Sequence, residues 1–353
     1  MIWIGLDIAT ALSDALAKRT VQTPIFFLCS QTTHPLCQDL IDMADITVPA
    51  SHIFAVADGE NAKDLQTCES IYKWLQSAGA MRNALLINVG GGALCDVGGF
   101  CAATYQRGIA FWNIPTTLLA MVDASVGGKN GINLGHHKNY IGTFQQAEHI
   151  FVSPHWLSSL PDSELLSGWA EVIKHGIIAG GKHFHQILKA IPSTKDQQTW
   201  LGLIEWNIKT KSRIVESDFT EAAERKLLNL GHTIGHAIES WSRDAGKPLP
   251  HGNAVAWGLV IETQLATAIA PNTEETKGLH ESLQTLVCNT YPTLDIDKND
   301  VPQIMNYIRA DKKNEQETLL FSLAFAPGHC QYNITIPEEL VTQVLNDFSH
   351  DSH

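Results

Sequence analysis

Two histidines stand one helical turn apart in Gly231-His232-Thr-Ile-Gly235-His236-Ala-Ile-Glu239. That spacing places both side chains on one helix face, where they can share a divalent cation. Thr233 occupies the position where an HExxH pattern needs glutamate, which excludes a zinc peptidase. A second helical stretch, Gly168-Trp-Ala-Glu171-Val-Ile-Lys174-His175-Gly176, sets Glu171, Lys174 and His175 on one face, and His251-Gly252 follows Pro248-Leu249-Pro250. Two histidines and a carboxylate with open positions make a catalytic zinc arrangement. Spacing alone reads equally well as structural histidines in a core.

A different chemistry sits earlier in the chain. The apolar run Ala84-Leu-Leu-Ile-Asn-Val89 leads straight into Gly90-Gly91-Gly92-Ala-Leu-Cys-Asp96-Val-Gly98-Gly99. Glycines at the carboxyl end of a strand let backbone amides approach a pyrophosphate, and the helix that follows favours negative charge. The spacing is not GxGxxG, and a tight turn needing positive φ is the competing reading. Asp58-Gly59-Glu60 with Lys63 follows another strand-like run, Ile53-Phe-Ala-Val-Ala57, and carboxylates there can hold ribose hydroxyls. Pro115-Thr116-Thr117, Asp123, Gly127-Gly128-Lys129 and Lys138-Asn139 combine glycines, hydroxyls and lysines into an anion cradle without the GxxxxGK[ST] of a Walker A loop. Arg107, Lys129, Lys138, Lys174, Lys211, Arg225 and Lys312 all fall in or beside these segments, which points to a strongly anionic small substrate.

The elements that must position these residues are legible in outline. Pro24–Cys29, Ala84–Val89 and Phe111–Ile114 read as buried strands, and Ala62–Ala78 carries Leu65, Ile71, Trp74 and Leu75 near helical spacing between them. Such alternation predicts a Rossmann-like parallel sheet covered on both faces. From Ser163 to about Ala270 helical patterns dominate, and Thr318–Phe325 with Gln331–Ile336 flank Pro327-Gly328 as a hairpin. At roughly 150 residues per domain, 353 residues accommodate two: an α/β domain over 1–152 and a mainly α-helical domain over 153–353. Lys+Arg 24 against Asp+Glu 37 leaves a formal charge of −13, which argues against nucleic acid and anionic membranes as partners. The seven cysteines form no CxxC pair, so neither a disulfide framework nor a thiolate zinc site is expected. A reducing cytoplasm fits this usage, as does an N-terminus with no basic segment before its apolar residues.

Taken in order, DGExxK at Asp58–Lys63, GGGxxxD at Gly90–Asp96, YxRG at Tyr105–Gly108 and PTTLLAxVDxSVGGK at Pro115–Lys129 resemble the 3-dehydroquinate synthase family of the sugar phosphate cyclases. KN at Lys138–Asn139, SGxAEVIKxG at Ser167–Gly176, LLNLGHTxGHAIE at Leu227–Glu239, HG at His251–Gly252 and DKK at Asp311–Lys313 extend the resemblance over roughly residues 55 to 320. It implies metal ligands at Glu171, His232 and His251, displacing His236 from the set that spacing suggested. His236 becomes a proton-transfer or phosphate-contacting group. It implies NAD contacts at Asp58, Gly59, Glu60 and Lys63, at Gly92, Ala93, Leu94, Cys95 and Asp96, at Thr116 and Thr117, at Lys129 and Lys138, and at Trp156, Leu157, Ser158 and Ser159. Substrate positions match Arg107, Asp123, Lys129, Lys138, Asn139, Lys174, Lys211, Arg225, Asn229 and Lys312. Asn253 departs from the family's common Glu, and Met121 from its common Gln.

The resemblance further implies NAD, one zinc or cobalt ion and a homodimer. The implied reaction takes 3-deoxy-D-arabino-heptulosonate 7-phosphate to 3-dehydroquinate and phosphate. The principal alternatives are a metal-dependent polyol dehydrogenase, which has no need of so many cations, and a non-catalytic NAD-binding regulator; closer ones are other sugar phosphate cyclases making inosose or valiolone-type rings, against which Asn229 and His236 match the dehydroquinate pattern.

Overall fold

The computed structural model describes residues 1–19, 23–135, 137–190, 196–270, 274–310 and 319–351, with backbone alone at 350 and 351. The chain divides into two compact units, Met1–Pro161 with Thr194–Ser212, and Asp162–Ser193 with Arg213–His353.

The first unit is an α/β layer structure. Its strands are β1 (Ile2–Ile4), β2 (Ile25–Ser30), β3 (Ile53–Val56), β4 (Leu85–Gly90), β5 (Ala110–Pro115), β6 (Lys129–Leu134), β7 (His137–Phe144) and β8 (His149–Val152). Its helices are α1 (Ile8–Ala17), α2 (His34–Met43), α3 (Leu65–Ser77) and α4 (Gly92–Thr104). Six strands form one sheet in the order β1-β8-β5-β4-β2-β3, every described pair parallel, and β6 and β7 form a separate antiparallel hairpin. All six residues of β4 are buried, as a strand covered on both faces requires. Helix α3 begins where the Asp64 carboxylate accepts the Thr67 amide at 2.6 Å, and it buries Cys68, Ile71 and Leu75 against the sheet-side core.

Chain order turns outward from β2 to β3 in one direction and from β4 to β5 in the other, so the carboxyl ends of β2 and β4 flank the switch point of the sheet. Thr33 Oγ1 donates to the Val89 carbonyl at 2.8 Å, and the Thr32 amide donates to Asp58 Oδ1 at 3.0 Å, tying the segment after β2 to the end of β4 and to the loop after β3.

In the second unit, α5 (Asp162–Ala179), α6 (Gly181–Ile187), α8 (His232–Asp244), α9 (His251–Ile269), α10 (Glu274–Thr290), α11 (Val301–Ala310) and α12 (Glu338–Asp351) accompany one antiparallel hairpin, β9 (Leu319–Ala326) and β10 (His329–Ile336). Helix α7 (Gln197–Ser217) contains the boundary between the units at Ser212. Helix α9 is apolar on nearly every face and buried along most of its length, the pattern of a central core helix. Its contact with α8 is close because both lack side chains where they cross: a Cβ on Gly258 would lie 2.1 Å from the Gly231 carbonyl oxygen. One on Gly235 would lie 3.1 Å from that of Ala254.

The strands and helices read from the sequence are present, including the hairpin around Pro327-Gly328, where Gly328 takes φ +84°. Strand β1 and the β6–β7 hairpin were not foreseen, because three residues are too few for a periodicity and β7 is largely exposed on both faces. The cysteines are all free. Among the described residues, no helix is long and apolar enough to cross a membrane.

Candidate active site

In the second unit the sequence brings its ligand candidates together from three helices. Glu171 projects from the middle of α5, His232 is the first residue of α8, and His251 is the first residue of α9. Glu171 Oε1 lies 3.4 Å from His232 Nε2 and 3.9 Å from His251 Nε2. The other nitrogen of each ring is engaged: His232 Nδ1 donates to the Leu230 carbonyl at 3.0 Å, and His251 Nδ1 to Glu239 Oε2 at 3.0 Å. Each ring therefore leaves its Nε2, within 4 Å of Glu171 Oε1, as the nitrogen available to a metal. Ligands about 2.1 Å from a tetrahedral ion are about 3.4 Å apart, so these separations suit a divalent cation. Burial, then the charge of Lys174, depresses the His232 pKa and favours the neutral, metal-competent ring.

Lys174 Nζ pairs with Glu171 Oε2 one turn along α5, both side chains essentially inaccessible to water. Gly252 permits the close seating of α9 on α5: its amide donates to Ser167 Oγ at 3.2 Å, and a Cβ there would meet the Ser167 carbonyl oxygen at 2.2 Å. His236 completes a second grouping with His232 and His251, their nearest ring nitrogens all within 4.8 Å, but it is exposed while the other two are half-buried.

Two further candidates share the 3-10 turn Glu224–Asn229. Arg225 is 2% exposed; its Nη1 donates to the Phe219 carbonyl at 2.5 Å and its amide to Asp218 Oδ2 at 3.0 Å. The Asp218 carboxylate also accepts the amides of Ala222 and Ala223. Asn229 Nδ2 donates to Glu221 Oε1 at 2.7 Å, and Glu221 sits at φ +63°. Asp218, Glu221 and Glu239 were not singled out from the sequence. Only Glu239 lay inside a quoted motif, and carboxylates that act on a neighbour four to twelve residues away leave no periodic signal.

In the first unit the nucleotide candidates line the carboxyl ends of the strands. Gly91 and Gly92 open α4, where a Cβ on Gly91 would press on Thr117 Cγ2 at 3.2 Å and one on Gly92 on Ala124 Cβ at 3.0 Å. The two glycines thus let the turn after β4 pack closely against the segment that carries Thr117 and Ala124. Ala93, Leu94 and Cys95 continue the first turn of α4, and the Thr116 amide donates to the Gly90 carbonyl at 3.0 Å. After β8, Trp156, Leu157 and Ser158 lie in a 3-10 turn begun by Pro154 and followed by Ser159; the buried Trp156 Nε1 has no hydrogen-bond partner. A buried donor in that condition fits a site completed by a bound group.

Lys63, 2% exposed, reaches Asp96 Oδ2 at 2.7 Å, Glu60 Oε1 at 3.8 Å and Asn139 Oδ1. Asp58 follows β3, and Gly59 beside it takes φ +65°. Lys211 of α7 holds Asp123 twice, through its carbonyl at 2.5 Å and Oδ1 at 2.6 Å. Lys129 opens β6 opposite Phe144 while Lys138 lies near the turn, so the hairpin holds the two lysines at opposite ends. Arg107, exposed at φ +68°, follows the far end of α4; thirteen helical residues put it about 20 Å from the glycine turn. Lys312 lies outside the described residues.

A parallel sheet with a glycine turn at its switch point, in one chain with a helical unit that gathers a carboxylate and two histidines, is a fold shared with ring-forming sugar phosphate synthases and, at lower similarity, with a sulfoacetaldehyde reductase and an iron-containing alcohol dehydrogenase. A crystal structure of 2-deoxy-scyllo-inosose synthase, complexed with carbaglucose-6-phosphate, NAD+ and Co2+, has a TM-score of 0.86 at 22% identity, covering 98% of this chain and 96% of that one. A 2-epi-5-epi-valiolone synthase from Streptomyces hygroscopicus, with NAD+ and Zn2+ bound, has a TM-score of 0.83 at 20% identity, covering 99% and 97%. Within that class, residues 53–167 match the 3-dehydroquinate synthase N-terminal family model and residues 168–314 its C-terminal counterpart. The 3-dehydroquinate synthase of Parabacteroides distasonis is 35% identical over 98% of this chain and 96% of its own. The chain belongs to the 3-dehydroquinate synthase family.

Proposed function

We propose that this chain converts 3-deoxy-D-arabino-heptulosonate 7-phosphate to 3-dehydroquinate and phosphate, a phosphate-eliminating lyase step toward the aromatic amino acids. The observation that supports it most is the approach of His232 Nε2 and His251 Nε2 to within 4 Å of Glu171 Oε1, within a chain of this family. Glu171, His232 and His251 would hold one zinc or cobalt ion. Asp58, Gly59, Glu60, Lys63, Gly92 to Asp96, Thr116, Thr117 and Trp156 to Ser159 would hold NAD+, with Lys129 and Lys138 contributing to both ligands.

The chemistry these groups would supply when bound is acidification of a substrate hydroxyl by the cation and reversible acceptance of one hydride by NAD+. This chain's own residues do the rest. Arg225, Lys129, Lys138, Lys174, Lys211 and Lys312 offer the positive charge that a phosphorylated carboxylic acid requires, and Asn139 and Asn229 offer neutral donors. Asp123, held by Lys211, and Arg107 complete the substrate set. His236, exposed and with its ring centroid 5.2 Å from that of His232, would carry a proton to or from the substrate. We assign most of the nucleotide site, with Arg107, Asp123, Lys129, Lys138 and Asn139 of the substrate set, to the domain over 1–152, and the metal with the remaining substrate contacts to that over 153–353, in a cytoplasmic homodimer.

The test is incubation of purified protein with NAD+, Zn2+ or Co2+ and the heptulosonate phosphate. Phosphate should accumulate with a carbocyclic product and no net rise in NADH absorbance. One NADH per phosphate would replace this reading with that of a dehydrogenase.

A further inference from the structure

Helices α8 and α9 each carry one ligand candidate at the first residue, and each also carries a carboxylate that reaches across to the other helix. Seven residues beyond His232, Glu239 of α8 accepts His251 Nδ1 at 3.0 Å through Oε2. Its Oε1 is 3.4 Å from Nη2 of Arg243, one turn further along. Eleven residues beyond His251, Glu262 of α9 is wholly buried and receives the Gly231 amide at 2.5 Å on Oε2 and the Ile234 amide at 3.2 Å on Oε1. Those two amides lie on either side of His232, in a turn where Gly231 takes φ +78°. Glu262 therefore holds the backbone from which the His232 ring projects, and Leu230, whose carbonyl accepts His232 Nδ1 at 3.0 Å, belongs to the same turn.

We propose that Glu239 and Glu262 are positioning residues that set the metal affinity of the Glu171, His232 and His251 group through reciprocal bracing of α8 and α9. The proposal rests on the metal reading of the preceding subsection. A hydrogen bond from the distal nitrogen of a ligand histidine to a carboxylate fixes the tautomer and raises the basicity of the ligating nitrogen. Glu239 supplies that bond to His251. His232 instead donates to a carbonyl, a weaker acceptor, so its aim depends on how firmly its turn is held. Glu262 supplies that hold, and a charged acceptor for two amides is stronger than a neutral one. A buried carboxylate costs several kcal/mol of hydration, and a capping serine or threonine would satisfy α8 without that cost. The choice of a wholly buried glutamate from the helix that carries the other ligand is what the bracing role accounts for.

The probe is Co2+ added to the metal-free full-length protein in competition with a chromophoric chelator, with the visible absorption of bound Co2+ recorded and thermal unfolding measured without metal. Glu239→Gln keeps the shape but removes the charge opposite His251, and Co2+ affinity should fall roughly 10- to 100-fold with a changed visible spectrum. Glu262→Gln leaves one of the two amides facing an NH2 group and should also weaken Co2+ binding. If it does not fold, Glu239→Gln decides the matter alone. Unchanged Co2+ affinity and spectrum in Glu239→Gln overturn the proposal, whatever happens to the melting temperature. Failure of the unsubstituted protein to bind Co2+ with a ligand-field spectrum overturns the metal reading itself, and the bracing with it.

Discussion

Lys63 Nζ stands 2.7 Å from Asp96 Oδ2, joining the 3-10 turn after β3 to the second turn of α4 with a lysine that is 2% exposed. Burial raises the Asp96 pKa, and the charge and hydrogen bond of Lys63 oppose that rise. The folded chain thus binds the Asp96 proton more tightly than the unfolded chain. Between the ordinary carboxylate value and the raised folded one, this group makes stability fall as pH rises.

Replacing Lys63 by methionine removes the opposing charge and extends that window upward. The variant should lose about 3 kcal/mol at neutral pH, the lower end for breaking a buried pair, because the Asp96 side chain retains 19% exposure. Acidification should restore more stability to it than to the parent. Urea unfolding at pH 5 and pH 8 checks this, and parallel pH dependences in the two proteins would contradict it. NAD+ affinity should fall in the same variant.

His232→Ala and His251→Ala should each abolish stoichiometric metal and activity, whereas His236→Ala should keep the metal and lose turnover. The reason is geometric: His236 is exposed, and the two half-buried rings already face Glu171 with their distal nitrogens engaged. Metal analysis of the three purified variants decides it. A metal-free His236→Ala would make that residue a ligand.

Arg225→Ala should lower kcat/KM on the order of ten- to a hundred-fold, the worth of one charge-assisted contact of roughly 1.5–3 kcal/mol. Asp218→Asn should raise KM with less effect on NAD+ binding, since Asp218 holds the Arg225 amide and the turn before it. The Asp218 pKa is lowered by those amides and by Arg225 against the opposing cost of burial. The stability this group contributes is present above the unfolded carboxylate pKa and is lost as pH falls through the depressed folded one. Protection of the Ala222, Ala223 and Arg225 amides against hydrogen exchange, taken relative to their intrinsic rates at each pH, should therefore fall on strong acidification in the parent, and already at neutral pH in Asp218→Asn. Equal exchange in the two proteins at neutral pH would count against the role of Asp218.

Gly252→Ala should be severe, because the added methyl meets backbone atoms of Ser167 rather than the yielding tip of a side chain. A loss of about 3 kcal/mol, the upper end for overpacking, is expected in chemical unfolding, together with weakened metal binding as α9 shifts against α5. Gly278→Ala is the control, since nothing lies within 4 Å of a Cβ there.

What the sequence by itself determined is whatever lies within a few residues of chain. The triple glycine at the end of an apolar run is a strand-to-helix turn in the fold as in the pattern, Lys174 is one turn from Glu171, and His236 is one turn from His232. The family motifs, being local strings in a fixed order, were legible for the same reason. Spacing alone nonetheless favoured His232 with His236, because helical periodicity cannot see a residue on another helix. That His251, nineteen residues beyond His232, approaches the Glu171 carboxylate eighty residues before it depends on the glycine-to-glycine crossing of α8 and α9 and on the seat of Gly252 against α5. The tertiary structure likewise decided which nitrogen of each ring is turned inward, that Lys63 is spent on Asp96 and Asn139, and that Arg107 stands a helix length from the glycine turn. Each is a side-chain direction set by packing between elements distant in sequence, and local residue preferences carry no record of the partner until the helices and strands have met.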